Sequence, residues 1–102
     1  MTIPRSLAGK PKHKLSITDS VYLCLRKGSY MTFWEIQKMI KENTGKFFGE
    51  PSISAAIRDL RNEGPRQKYD LHPYKEVVDK RRRKGSKAYE YILIKENVNA
   101  GL

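Results

Sequence analysis

A chain of 102 residues, 38% hydrophobic and 31% charged, carries enough apolar mass for one modest core and is too short for two ordinary domains. It has no run of about 18 apolar residues, which argues against a membrane partner, and its start, MTIPRSLAGKPKHKL, lacks the continuous apolar stretch of a secretory signal. The formal net charge is +10, and most of it lies in two places: residues 1–15 carry Arg5, Lys10, Lys12 and Lys14 without an acid, and residues 79–87 carry six basic residues against Asp79. Two basic segments on a nearly neutral body suit a polyanion, although basic loops also serve solubility alone.

In chain order, residues 1–15 contain Pro4, Gly9 and Pro11 and no periodicity, so a flexible basic arm is expected. A first helix follows, capped by Thr18 or Ser16, with Asp19 in its first turn and Arg26 and Lys27 before Gly28. Ile17, Val21, Cys24 and Leu25 share one face, with Tyr22 at its side. Cys24, the only cysteine, reads as a small core residue in a reduced cytosolic compartment. As a nucleophile it would need a nearby histidine, and His13 and His72 both sit in polar or Pro-flanked segments.

Tyr30 and Met31 make a brief extended link, and TFWE at 32–35 matches a capping box that opens a second helix. Phe33, Ile36, Met39 and Ile40 form its stripe, Lys38 and Lys41 its solvated side, and it ends near Asn43 to Gly45. GKFFGEP at 45–51 is a connector, with Pro51 as first residue of the next helix. That third helix, PSISAAIRDLRNEG, buries Ile53, Ala56, Ile57 and Leu60 and is stopped by Gly64 and Pro65. Its outer face carries Ser52, Ser54, Ala55, Arg58, Asp59 and Asn62, with Arg61 at the edge. Such a face could approach a groove closely, or could simply be solvated.

Residues 64–73 read as a loop. YKEVVD at 74–79 and AYEYILI at 88–94 read as strands of a hairpin with the long basic tip KRRRKGSK. In the second strand Tyr89, Tyr91 and Leu93 oppose Ala88, Glu90, Ile92 and Ile94, and both sets contain apolar groups, so periodicity leaves the buried face open. Residues 96–102 form a short tail.

The order helix, short strand, helix, helix, strand, basic turn, strand over residues 16–95 resembles the winged helix-turn-helix family. SISAAIRDLR at 52–61 is similar to that family's recognition helix and VVDKRRRKGSKAYEYILI at 77–94 to its wing. Both strings also resemble small DNA-binding proteins of bacteriophages and prophages. The resemblance implies an α+β winged helix, three helices with a small antiparallel β-hairpin, acting on double-stranded DNA in the cytoplasm or nucleoid of a bacterial host. Ser52, Ser54, Arg58, Arg61 and Asn62 would face the major groove, and Arg81, Arg82, Arg83, Lys84 and Lys87 the backbone or minor groove, with Lys10, Lys12 and Lys14 of the arm adding a sequence-independent grip.

Two departures stand out: the connector at 44–51 and the loop at 64–73 are both longer than the family minimum, and Phe47, Phe48 or Tyr69 could offer a partner surface there. The expected role is a transcriptional regulator of a phage or mobile element. The rivals are an architectural or replication DNA binder and a modulator or inhibitor of another protein. A homodimer remains open, since no heptad run announces an interface. No cofactor or metal is expected and no enzymatic activity, because no nucleophile, paired-carboxylate or metal-ligand spacing occurs; Glu76 and Asp79 read as charge balance.

Overall fold

Helix formation begins at Ser16, whose Oγ accepts from the Asp19 N–H at 3.0 Å while the Asp19 carboxylate accepts from the Ser16 N–H at 3.1 Å. This reciprocal box opens α1 (Ile17–Leu25) in a computed structural model that describes residues 15–94. Lys10, Lys12, Lys14 and the tail at 96–102 lie outside the described residues. Leu15, expected as the last residue of the arm, is instead buried in the core.

After β1 (Met31–Thr32), a second box opens α2 (Phe33–Thr44): Thr32 Oγ1 accepts from Glu35 N–H at 3.2 Å, and Glu35 accepts from Thr32 N–H at 2.9 Å. Gly45 ends α2 at φ +77, a left-handed conformation that glycine adopts without a Cβ penalty. The connector is held to the body, because Gln37 donates to the Phe48 carbonyl at 3.0 Å and Phe48 packs against the core; Phe47 stays exposed.

α3 (Glu50–Asp59) starts one residue before Pro51 and stops well short of Gly64 and Pro65, which corrects the single long third helix. A further helix, α4 (Glu63–Lys68), occupies the first half of the expected loop. The cause is Pro65: inside a continuous helix its ring would clash with the carbonyl four residues earlier, that of Arg61, and bond to nothing. The chain instead breaks at Asn62, extended at φ −79 and ψ 157, and restarts with Pro65 in the first turn, where no N–H is needed. The carbonyl of Arg61 accepts from Arg66 Nε at 2.6 Å, and the Arg66 guanidinium also donates to the carbonyls of His72 and Lys75.

Those bonds, with His72 Nδ1 accepting from the Tyr74 and Lys75 N–H groups at 3.0 and 3.1 Å, curl residues 72–75 into a turn. The first hairpin strand therefore begins later than the expected 74–79: β2 is Val78–Arg82 and β3 is Tyr89–Leu93. The sheet is antiparallel, in the order β1-β3-β2, with Met31 opposite Tyr91, Val78 opposite Leu93 and Arg81 opposite Glu90.

The described residues thus form an α+β fold of four helices and one open three-stranded antiparallel sheet. α1 packs on α2, α3 and β3, and α2 packs on α3. Between them lie Val21, Leu25, Ile36, Ile40, Ile53, Leu60, Val77 and Leu93, all at most 2% exposed. Each such side chain contributes roughly 1.5–3 kcal/mol by leaving water. Tyr22, expected at the edge of the α1 stripe, lies in the core, stacked on Tyr69 with ring centroids 4.3 Å apart.

The Tyr69 hydroxyl donates to Asp19 at 2.5 Å and Lys68 Nζ lies 2.8 Å from the same carboxylate. The fully buried acid thus ties α4 to α1, and Tyr69 is no partner surface. Cys24 is buried and its thiol is pushed by that burial up to about 11, so it is held as the neutral thiol at physiological pH. No helix of the described residues is long and apolar enough to cross a membrane.

Candidate nucleic-acid interface

The exposed side of α3 presents Ser52 and Arg58 fully and Ser54 and Ala55 partly, opposite the buried Ile53, Ala56 and Ile57. These side chains are small at the start of the helix, with one arginine a turn later. The helix also carries Glu50 and Asp59, so its ten residues sum to one negative charge. Any attraction for a polyanion therefore has to come from elsewhere.

Arg61 and Asn62, expected on the same face, do not belong to α3. Arg61 lies beyond its cap, with Nε 2.8 Å from Glu76 Oε1, and Asn62 is the cap position of α4, its amide 3.4 Å from Asp59. The break imposed by Pro65 thus leaves both outside the helix that carries Ser52, Ser54 and Arg58.

The hairpin divides its cations by strand alternation. Register places Lys80 with Tyr91 and Arg82 with Tyr89 on one face, the face on which Val78 and Leu93 reach the core. Lys80 Nζ lies 4.4 Å and the Arg82 guanidinium 6.0 Å from the centre of the Tyr89 ring. On the other face Glu90, 6% exposed, accepts from Arg81 Nε at 2.7 Å and from Arg83 Nε at 3.1 Å. Arg83 also donates to Glu35, and Arg81 lies 3.6 Å over the ring of Tyr30, whose hydroxyl donates to Asp79.

The Arg81 hydrogen bond, joined by that of Arg83, holds Glu90 below the usual carboxylate range. Two of the three consecutive arginines are therefore engaged by carboxylates within the fold. The expected tip at 80–87 is shortened: Lys80, Arg81 and Arg82 lie in β2 and the turn is Arg83 to Ala88, while Arg81 and Arg82 stay exposed and Arg83 is half-buried. Gly85 at its apex adopts φ +76, and Lys84 and Lys87 are exposed beside it.

The hairpin and the start of α3 meet across an open groove of about 490 Å³, lined by Phe33, Trp34, Glu50, Arg83, Ser86, Lys87, Tyr89 and Tyr91 among others. Its aromatic walls had no expected role. Trp34 is 64% and Tyr89 45% exposed, while Phe33 and Tyr91 stack at 5.1 Å with nearly parallel rings. The sequence signal for them was a tryptophan on the polar side of the α2 stripe and a tyrosine beside the basic run.

Among the described residues no group of three or more His, Cys, Asp or Glu could hold a metal ion, and every buried side-chain polar atom has a partner. A scan against protein-family models, a search of curated proteins and a search of solved structures each found no match.

Proposed function

We propose that the chain is a winged-helix protein that binds double-stranded DNA through α3 and the β2–β3 hairpin, as a transcriptional regulator of a phage or mobile element. The observation that supports it best is the groove in which Glu50, at the start of α3, borders Arg83 and Lys87 of the hairpin. The start of the helix that carries the small, polar outer face is thereby next to the cationic hairpin. In this reading Ser52, Ser54 and Arg58 meet base edges in the major groove. Lys80, Arg82, Lys84 and Lys87 meet phosphates, with Lys10, Lys12 and Lys14 adding to the same attraction.

Affinity is mainly electrostatic, because α3 itself is slightly acidic, and sequence choice rests on few side chains. No catalytic step and no cofactor is part of the proposal.

The test is an anisotropy titration of random duplex at rising salt, followed by selection from a random duplex library. Salt-sensitive binding with enrichment of one site is the expected result, and the symmetry of that site would tell a dimer from a monomer. Binding without enrichment would replace the regulator by an architectural or replication protein. Failure to bind any duplex at low salt would overturn DNA binding and favour a protein target.

A further inference from the structure

The aromatic groove is poorly matched to a duplex, in which the flat faces of the bases are covered by their neighbours. Trp34, in the first turn of α2, and Tyr89, at the start of β3, are both substantially exposed and line the same groove, with the stacked Phe33 and Tyr91 beside them. Each exposed ring is accompanied by a cation: Lys38 Nζ lies 5.3 Å from the Trp34 centroid, and Lys80 and Arg82 flank Tyr89. Lys87 stands at the rim, and Glu50 is the acid that lines the groove.

Flat π surfaces interleaved with positive charge match a strand that presents bare base faces between phosphates. An apolar protein segment would cover the rings but leave the surrounding cations without countercharge.

We propose that this groove takes unpaired DNA nucleotides at a duplex end, gap or melted site, with Trp34 and Tyr89 stacking on bases and Lys38, beside Trp34, meeting a phosphate of the unpaired strand. The inference rests on the DNA-binding reading and adds to it a preference for the boundary between paired and unpaired strands. α3 and the hairpin would hold the duplex while the adjoining groove holds the strand that leaves it.

Trp34 is the only tryptophan, so intrinsic fluorescence reports on this groove directly. The full chain is titrated with a blunt duplex, the same duplex bearing a short thymidine tail, the tail alone, and the duplex with a uridine RNA tail. Anisotropy of labelled nucleic acid is followed in parallel.

The tailed duplex is expected to quench Trp34 and to bind more tightly than the blunt one. Trp34→Ala should lose that advantage, by about five- to a hundredfold for one stacked base, while blunt-duplex affinity stays unchanged; Trp34→Phe should keep part of it. Equal affinity for tailed and blunt duplexes with unmoved fluorescence would overturn the inference and leave duplex binding standing. Binding of the tail alone, without the blunt duplex, would uphold the groove and overturn the duplex reading. Binding to no DNA would overturn both and leave the aromatic rim to a protein. A tighter RNA tail would overturn the choice of DNA.

Discussion

The two faces of the β2–β3 hairpin carry nearly the same residue types and use them in opposite ways. On one, Val78, Leu93 and Tyr91 bury the root of the hairpin, and beyond them Lys80 and Arg82 stand beside Tyr89 with no carboxylate bound among the described contacts. On the other, Arg81 and Arg83 close on Glu90, and Arg83 reaches Glu35 at the start of α2. Arg81 and Arg82 are adjacent in sequence and both exposed, yet Arg81 is ion-paired to Glu90 while Arg82 stands beside Tyr89. A run of like charges in a strand is thus two populations, one ion-paired within the fold and one set beside an aromatic ring.

The largest effect that tests this division is on stability. Leu93→Ala, on the core face and 1% exposed, should cost about 2–5 kcal/mol. That is a large share of the roughly 5–15 kcal/mol typical of a domain, and it would show as a lowered urea midpoint. Ile92→Ala, half-buried on the other face, should cost distinctly less, and equal losses would mean that the two faces are not divided as described.

Next comes Glu90→Gln, which leaves Arg81 and Arg83 without their shared acid. Its melting temperature should fall. The salt dependence of duplex binding should steepen by about one to two units of log affinity per log salt, at roughly 0.9 for each phosphate newly met. An unchanged slope would show that Glu90 does not restrain those arginines.

A paired comparison sharpens the point: Lys80→Ala with Arg82→Ala should flatten the slope by about one to two units for specific and random duplexes alike, with stability shifted by only about 0.5 kcal/mol per site. Arg81→Ala with Arg83→Ala should do the reverse, lowering the melting temperature with less change in slope. Exchange of the two outcomes would invert the assignment of faces.

The smallest effect is in acid. Arg81 and Arg83 hold Glu90 below its ordinary value, and the Thr32 N–H, with Arg83, does the same for Glu35. At Glu76 burial works upward, but the Val78 N–H and Arg61 outweigh it. A carboxylate depressed in the folded state stabilises fully above its unfolded pKa of about 4.3, and that contribution drains away as pH falls through the lower folded value. Melting temperature should therefore decline below about pH 4.3, and less steeply in Glu90→Gln than in the parent chain. Parallel curves for the two proteins would remove Glu90 from the account.

Much of the helical layout was legible because it is local. The boxes Ser16–Asp19 and Thr32–Glu35 close within three residues, and the Ile53, Ala56, Ile57, Leu60 stripe repeats with the helical period, so each is written in a short window. Pro65 was read as a stop where it stands, although its steric demand acts four residues upstream. That displacement left Arg61 and Asn62 outside α3. The basic run was read as a turn because arginine and lysine are weak signals for a strand; it extends β2 because β3 supplies Tyr89, Glu90 and Tyr91 opposite it.

By itself, then, the sequence determined where α2 starts and, to within two residues, where α1 does, which face of α3 is buried and where the surplus positive charge lies along the chain. The tertiary structure alone decided which of those charges are ion-paired within the fold. Glu90 meets Arg81 across a strand pair, Glu35 meets Arg83 at a separation of 48 residues, and Asp19 meets Tyr69 at a separation of 50. Side chains that far apart in the chain share a site only after the core has closed, so no periodicity or local spacing records which cation each acid will hold.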